Sequence, residues 1–378
     1  MNISDYISIF AIVFVMFNGI LGSVLVVIYG ERKVLARLQQ RIGPSRTGPW
    51  GILQTLADAV KLVLKEDIRP QNSDRVIFYL APLIIFTPIF MLWVVLPFGS
   101  GLVLGDIDLG LFYVSALLGL SVVGMVAAGW SSNSKYAMLG SARSAAQLIS
   151  YELPLILSIL SVGLFAQLFT DNPFNLSSIV NAQAGLPSIF VMPLAFILFL
   201  IGGLAETARI PFDIPHADEE IVGGAFVEYS GIRWGAFQLS EYTGLITMAF
   251  LASILFLGGW SGPFSDKFVW LQPFYISSKT AFIILLAFWI RAPLPRLRID
   301  QLMAFAWKVI IPISFANFIL VSLVVFIGDR ISLPILQIQL ILGLLNLISM
   351  IALAYLLTSR RKRRLAVCLL YTSPSPRD

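Results

Sequence analysis

Apolar residues run along the chain in blocks of about 20, the length a helix needs to cross the ~30 Å hydrocarbon layer of a bilayer. Polar residues gather in the segments between them. Blocks of this kind lie at 7–29, 76–98, 109–130, 148–169, 188–204, 237–260, 274–290, 303–327 and 331–357. The pattern predicts an all-α integral membrane fold, a polytopic bundle of eight core transmembrane helices plus a ninth at 331–357. The first block lacks a charged leader and a small-residue cleavage site, so it reads as a retained helix rather than a signal peptide. One segment has a different period. In GILQTLADAVKLVLKED, residues 51–67, apolar side chains recur at Ile52, Leu53, Leu56, Ala59, Val60, Val63 and Leu64, with Asp58, Lys61 and Lys65 toward the other side. That three-and-four spacing predicts an amphipathic helix lying at the membrane interface. Gly43, Pro44, Gly48 and Pro49 before it form a turn that does not continue the first helix.

Composition agrees with the pattern: 58% of the 378 residues are hydrophobic, 12% are charged and the mean hydropathy is +0.86, far too apolar for a soluble globular protein. The net charge of +5 would suggest nucleic acid in a soluble domain, but here the basic residues flank the apolar blocks. Their placement sets an orientation. With the N-terminus outside and the C-terminus cytoplasmic, 22 of the 26 Lys and Arg fall inside, against Lys267, Lys279 and Arg330 outside. The RRKRR run at 360–364 is the reason for reading the ninth block as a crossing. Residues 1–367 read as one polytopic membrane domain. The tail 368–378, CLLYTSPSPRD, matches the translation of a sequencing adapter and is set aside from fold reasoning. The one cysteine, Cys368, falls in that tail, and the one histidine is His216. The chain therefore offers no disulfide framework, no thiolate metal or iron–sulfur site and no two-histidine haem site of its own. Gly-rich nucleotide fingerprints are absent.

The candidate chemistry lies in the acids. Seven of 21 carboxylates fall in the loop 206–241, on the cytoplasmic side of this topology: Glu206, Asp213, Asp218, Glu219, Glu220, Glu228 and Glu241. A carboxylate at membrane depth costs ~2.5–3.5 kcal/mol by insertion scales unless water, a partner or a proton pathway meets it. The loop is either a solvated connector or a segment folded back onto a watery cavity, since Ile214, Ile221, Val222, Phe226 and Tyr229 are interleaved with its charges. Closely spaced carboxylates raise one another's pKa and can hold or pass protons near neutrality. His216 among them is a relay or simply a polar loop residue. Tyr151-Glu152, early in the fourth block, is either neutralised by a neighbour such as Arg143 or part of a proton route. Glu31-Arg32-Lys33 closes the first block, with Arg41 following in QQRIGP, and anchors it at the interface if it does no more. Arg291, with Arg296 and Arg298 around Pro293 and Pro295, is a topological anchor or holds a carboxylate of the acidic loop or a quinone-type head group.

Five motifs in order carry a resemblance: ERKVLARLQQRIGP, GPWGILQTLADAVKLVLKED, RSAAQLISYELP, AETARIPFDIP with EYSG and SEY, and RAPLPRLRIDQLM. Together they resemble the H-subunit family of proton-pumping NADH:quinone oxidoreductase, respiratory complex I, up to about Lys308. The resemblance implies a membrane subunit at the junction with the hydrophilic arm, in a bacterial inner (plasma) membrane. It would help form the quinone-binding chamber and couple quinone reduction to proton translocation through a chain of acids. By motif, Tyr151, Glu152, Glu206, Asp213, Asp218, Glu220, Glu228 and Glu241 would be the proton path. Glu31, Arg32, Arg41, Asp58 and Arg291 would be chamber residues. No cofactor or metal would be bound by this chain, with quinone as substrate and flavin and iron–sulfur clusters in partner subunits. The chain departs from the family in reading ETAR for ETNR and in placing His216 and Asp218 where glutamates are common, while Glu219 adds an acid. Two other readings stand beside this one: the matching subunit of a membrane-bound hydrogenase, and a stand-alone secondary transporter, which would need an internal repeat that the sequence does not display.

Overall fold

The computed structural model describes residues 3–371 except 184, 216–221, 266 and 332–333, with side chains described from 10 to 355. All long elements among these are helices. They are α1 (Ile3–Leu38), α2 (Gln54–Leu64), α3 (Arg75–Leu92), α4 (Gly110–Ser131), α5 (Lys135–Ala166), α6 (Leu176–Ala182), α7 (Ser188–Val191), α8 (Pro193–Glu206), α9 (Gly231–Phe256), α10 (Gln272–Arg291), α11 (Ile299–Phe305), α12 (Ile311–Arg330) and α13 (Ile335–Tyr371). A π-turn, Ala306–Ile310, joins α11 to α12 in one continuous rod. Eight helices among the described residues are long and apolar enough to cross a membrane.

Four of the expected spans take a different form. The first helix does not close at Glu31-Arg32-Lys33 but runs on to Leu38, because good helix formers follow and no breaker comes before Gly43-Pro44. The fourth begins at Lys135 rather than 148, so Glu152 stands about 26 Å from its start, not one turn inside. The block 188–204 is broken at Met192, where φ −132° and ψ 60° leave the helical region, and Pro193 opens the 14-residue α8. Proline suits a helix start because it has no N–H to be satisfied there. At ~1.5 Å per residue α8 alone spans about 21 Å, short of a full crossing. Finally, residues 231–241 of the acidic segment belong to α9 and not to a loop.

Packing follows side-chain size. Helix α9 is the most enclosed of the long helices and α5 the next, and these two carry Glu241 and Glu152. Serines let α5 sit close to its neighbours. Ser144, Ser150, Ser158 and Ser161 each donate to a carbonyl three or four residues back, which satisfies their protons within the helix, and the Ser150 oxygen also accepts from Trp307 Nε1 of the π-turn at 3.2 Å. The segment between α8 and α9 lies against this bundle. Ile214, Phe226 and Tyr229 are buried, Val222 is exposed, and Tyr229 stacks on Phe78 of α3 with ring centroids 4.2 Å apart. Burial pushes the Tyr229 phenol above its ordinary pKa, while its bond with the Ser131 hydroxyl at 3.1 Å acts the other way.

Candidate functional site: a buried acid cavity beside an arginine–glutamate knot

One end of the bundle collects the C-terminal ends of α1, α8 and α10 and the N-terminal end of α9. Here Glu31 of α1 is 4% exposed and sits between two arginines. Arg209, just past α8, approaches its Oε2 at 3.4 Å, and Arg291, at the end of α10, forms an ion pair with its Oε1. The Arg209 guanidinium also lies 4.0 Å from the ring centroid of Tyr242 on α9. Two cations against one anion leave the knot positive, and so suited to an anion or an electron-rich head group. Alongside it, Asp213 pairs with Arg296 at 3.0 Å, and Leu297 N–H donates to the Pro211 carbonyl, so the α8–α9 segment is pinned to the chain after α10.

The amphipathic segment forms α2, whose Leu56, Val60, Val63 and Leu64 remain exposed. Asp58 on α2 meets Arg32 of α1 at 2.6 Å, both half in solvent. Between α1, α2 and α9 opens a cavity of about 380 Å³ lined by Arg32, Asp58, Ile28, Trp234, Leu239 and Tyr242 among others. Tyr242 thus has one neighbour in the knot and one side on this cavity. Arg41 stands apart: it is exposed, and its Nε donates to Gln39 at 2.9 Å.

A second cavity, of about 70 Å³, lies between α3, α4, α5 and α9 and is closed by the turn after α8. Glu206, Glu241 and Gln147 line it with Ser121 and Ser240. Glu206 Oε1 accepts from Ser121 Oγ at 3.2 Å, while its Oε2 is buried with no hydrogen-bond partner among the described residues. Glu152 approaches the same stretch of α4. A Cβ on Gly119 would lie 2.8 Å from Glu152 Oε1, so the glycine makes room for the carboxylate. Glu152 and Glu206 therefore flank one turn of α4, although they are 54 residues apart in sequence. Tyr151 points elsewhere, donating to the Leu302 carbonyl at 3.1 Å just before the π-turn. Glu228 is half-buried and does not line this cavity. His216, Asp218, Glu219 and Glu220 lie outside the described residues.

The structure thus brings Glu206, Glu241 and Glu152 together, and separately Glu31, Arg291, Arg32 and Asp58. Arg296 holds Asp213, the acidic-loop pairing weighed for the arginines after α10. Sequence reasoning gave no role to Arg209, Tyr242, Ser121 or Gln147. For Gln147 a signal existed, an uncharged amide in the apolar stretch that leads to Tyr151-Glu152. The others become visible only when distant helices are packed.

Residues 10–322 match the family model described as NADH dehydrogenase. The H subunit of the NADH-quinone oxidoreductase of Dehalococcoides mccartyi is 41% identical over 339 residues, covering 89% of this chain and 93% of that one. The H subunits of the same enzyme from Brevibacillus brevis and Geobacillus kaustophilus are 46% and 48% identical, covering 81% and 79% of this chain and 90% and 88% of theirs. With eight membrane-length helices among the described residues and relatives matched over nearly their whole length, this chain belongs to the NADH dehydrogenase family, in which its matched relatives are H subunits of NADH-quinone oxidoreductase.

Proposed function

We propose that this membrane subunit helps form the quinone-binding chamber of an NADH:quinone oxidoreductase and couples quinone reduction to proton translocation through its buried acids. The observation that carries the reading is the segment from Glu206 to Arg209. Glu206 lines the smaller cavity, and three residues later Arg209 holds Glu31 beside the larger one. One short turn thus belongs to both places.

Reduction of a quinone takes up two electrons and two protons. In a chamber bounded by Arg32, Asp58 and Tyr242, charge appearing on the head group is met by the positive knot of Arg209 and Arg291. Such a change is strongly felt in low dielectric, and it alters how tightly Arg209 holds Glu31. The turn carries that change to Glu206, where proton affinity is set by burial and by the neighbouring carboxylates. Glu152, Glu206 and Glu241 are the path from there toward the rest of the membrane arm, with Asp213 and Glu228 as loop-side members and Tyr151 holding α5 against α11. Asp218 and Glu220 are assigned to the same path by motif alone. Quinone is the substrate, and flavin and clusters reside in partner subunits of the hydrophilic arm. The basic end of the bundle faces the cytoplasm of a bacterial plasma membrane.

The test is Glu206→Gln and Glu152→Gln in the assembled enzyme reconstituted in vesicles. Quinone-dependent NADH oxidation and proton pumping should fall together, on the order of 100-fold, the scale of losing a positioned acid or base. Oxidation by an artificial acceptor that bypasses quinone should be unchanged. Variants that assemble, reduce quinone and pump protons at the original rates would refute the acid path.

A further inference from the structure

Gln147 stands near the middle of α5, one turn before Tyr151, and is 1% exposed. Its Nε2 donates to two main-chain carbonyls, Ala205 at the end of α8 at 2.8 Å and Phe212 in the following turn at 2.6 Å. Two carbonyls are met only by the NH₂ end of an amide, so the side chain has a single orientation and Oε1 must find its donor elsewhere. That oxygen is buried without a hydrogen-bond partner among the described residues, as is Oε2 of Glu206, and both residues line the 70 Å³ cavity.

The hydroxyls around this cavity do not supply the missing donors. Ser144, Ser240, Thr207 and Thr247 each direct the proton to a carbonyl of their own segment, at 2.6–2.9 Å. The lining is therefore rich in acceptors and short of donors. A small molecule with two protons to give fits it, and at the ~30 Å³ that a water takes up in the liquid, 70 Å³ has room for about two waters.

We propose that the cavity is a water site anchored by Oε1 of Gln147 and Oε2 of Glu206, and that Gln147 is a positioning residue for proton transfer between Glu241 and Glu206. The inference rests on the acid path proposed above. A proton leaving Glu241 is taken by the nearest water, and a different proton of the chain passes to Oε2 of Glu206. Each water ends neutral with two protons, one carboxyl becomes a carboxylate and one carboxylate a carboxyl. Gln147 never titrates. It fixes the turn after α8 with its amide nitrogen and the water with its oxygen.

Two variants of the assembled enzyme in vesicles test this. Gln147→Met removes the anchor at nearly constant volume. Gly244→Val adds bulk to the cavity wall, at a position where a Cβ meets only the Thr207 Cγ2 at an ordinary 3.6 Å. Both should lower quinone-dependent turnover and pumping together by about tenfold, less than loss of the carboxylate itself, and should enlarge the slowing in D₂O. The artificial-acceptor rate should stay unchanged. Gln147→Glu, which keeps an acceptor but titrates, should recover part of the rate and move its pH profile, while Gly244→Val, which leaves both bonds of the Gln147 amide nitrogen in place, should be slowed all the same, an outcome that a purely structural role of Gln147 does not give. Wild-type pumping with a wild-type D₂O effect in both Gln147→Met and Gly244→Val would overturn the water site. If Glu206→Gln is then inactive, only this inference fails; if it too is silent, the acid path fails with it. Turnover that depends on Na⁺ at fixed pH, and loses that dependence in Gln147→Met, would put a metal cation in place of water and also overturn the proposal.

Discussion

The two ends of the helix bundle treat charge in opposite ways. At the end that carries Lys279 the charged groups are met by neutral partners, although Trp93 Nε1 and Ser188 Oγ stay buried with no bond among the described residues. The Lys279 ammonium donates to three main-chain carbonyls, Leu257, Gly259 and Ser261, at 2.7–2.8 Å, which caps the C-terminal end of α9. Asp106 accepts from Asn175 at 2.8 Å while the same asparagine caps α6, and Gln272 takes both the N–H and the hydroxyl of Ser100. At the end with Glu31 the partners come from distant helices and the pairing is incomplete. Nε and Nη2 of Arg209 and Oε2 of Glu206 are buried with no bond among the described residues. A charge met by neutral donors or acceptors is what stability asks for. Buried charge that is only partly met costs stability, and a chain carries that cost where the charge is used.

The largest effect expected from disturbing this contrast is at Glu31. Glu31→Gln keeps the shape and removes the anion that Arg209 and Arg291 share. Breaking a buried ion pair from one side typically costs ~3–5 kcal/mol, because the remaining charge loses its counterion. The variant should accumulate less assembled enzyme and lose activity at a lower temperature than Glu31→Asp, which retains the charge. Equal assembly and heat resistance in the two would show that the knot is not held by charge.

Lys279→Met probes the other end. Three carbonyls lose their donor at once, with an expected cost of ~1–3 kcal/mol for buried groups left unsatisfied. The enzyme should be easier to inactivate by heat, yet its quinone KM and pumping stoichiometry should not move. A change in either would mean that the two ends are coupled and do not divide stability from function.

Much of the fold is legible in the chain because a bilayer admits few solutions: an apolar run of about 20 residues has little choice but to be a helix. Helix ends are less legible. Nothing in a hydropathy pattern announces that α1 continues through Glu31-Arg32-Lys33, since those residues favour helix as much as they favour the interface. The break before Pro193 had a visible cause, but an apolar run of the right length masks it. The site divides in the same way. The stretches holding Glu31, Glu152, Glu206 and Arg291 stand out as polar groups among apolar ones. That Glu31 is shared by Arg209 and Arg291, or that Gly119 yields space to Glu152, depends on contacts between helices far apart in sequence, which no local pattern encodes.

The smallest effect on stability is expected where charge meets water, and it sharpens the contrast most. Arg32 and Asp58 pair at 2.6 Å with 44% and 36% of their side chains exposed. Exposed pairs of this kind contribute ~0–1 kcal/mol and are screened by salt, so Arg32→Gln combined with Asp58→Asn should leave heat resistance almost unchanged. Both side chains nevertheless line the 380 Å³ cavity. If that cavity receives the quinone, the double variant should raise the quinone KM severalfold with little change in kcat, and high salt should reproduce part of the effect in the unmodified enzyme. A loss of heat resistance with an unchanged KM would make the pair a structural latch between α1 and α2, no different in kind from the lysine cap at the far end.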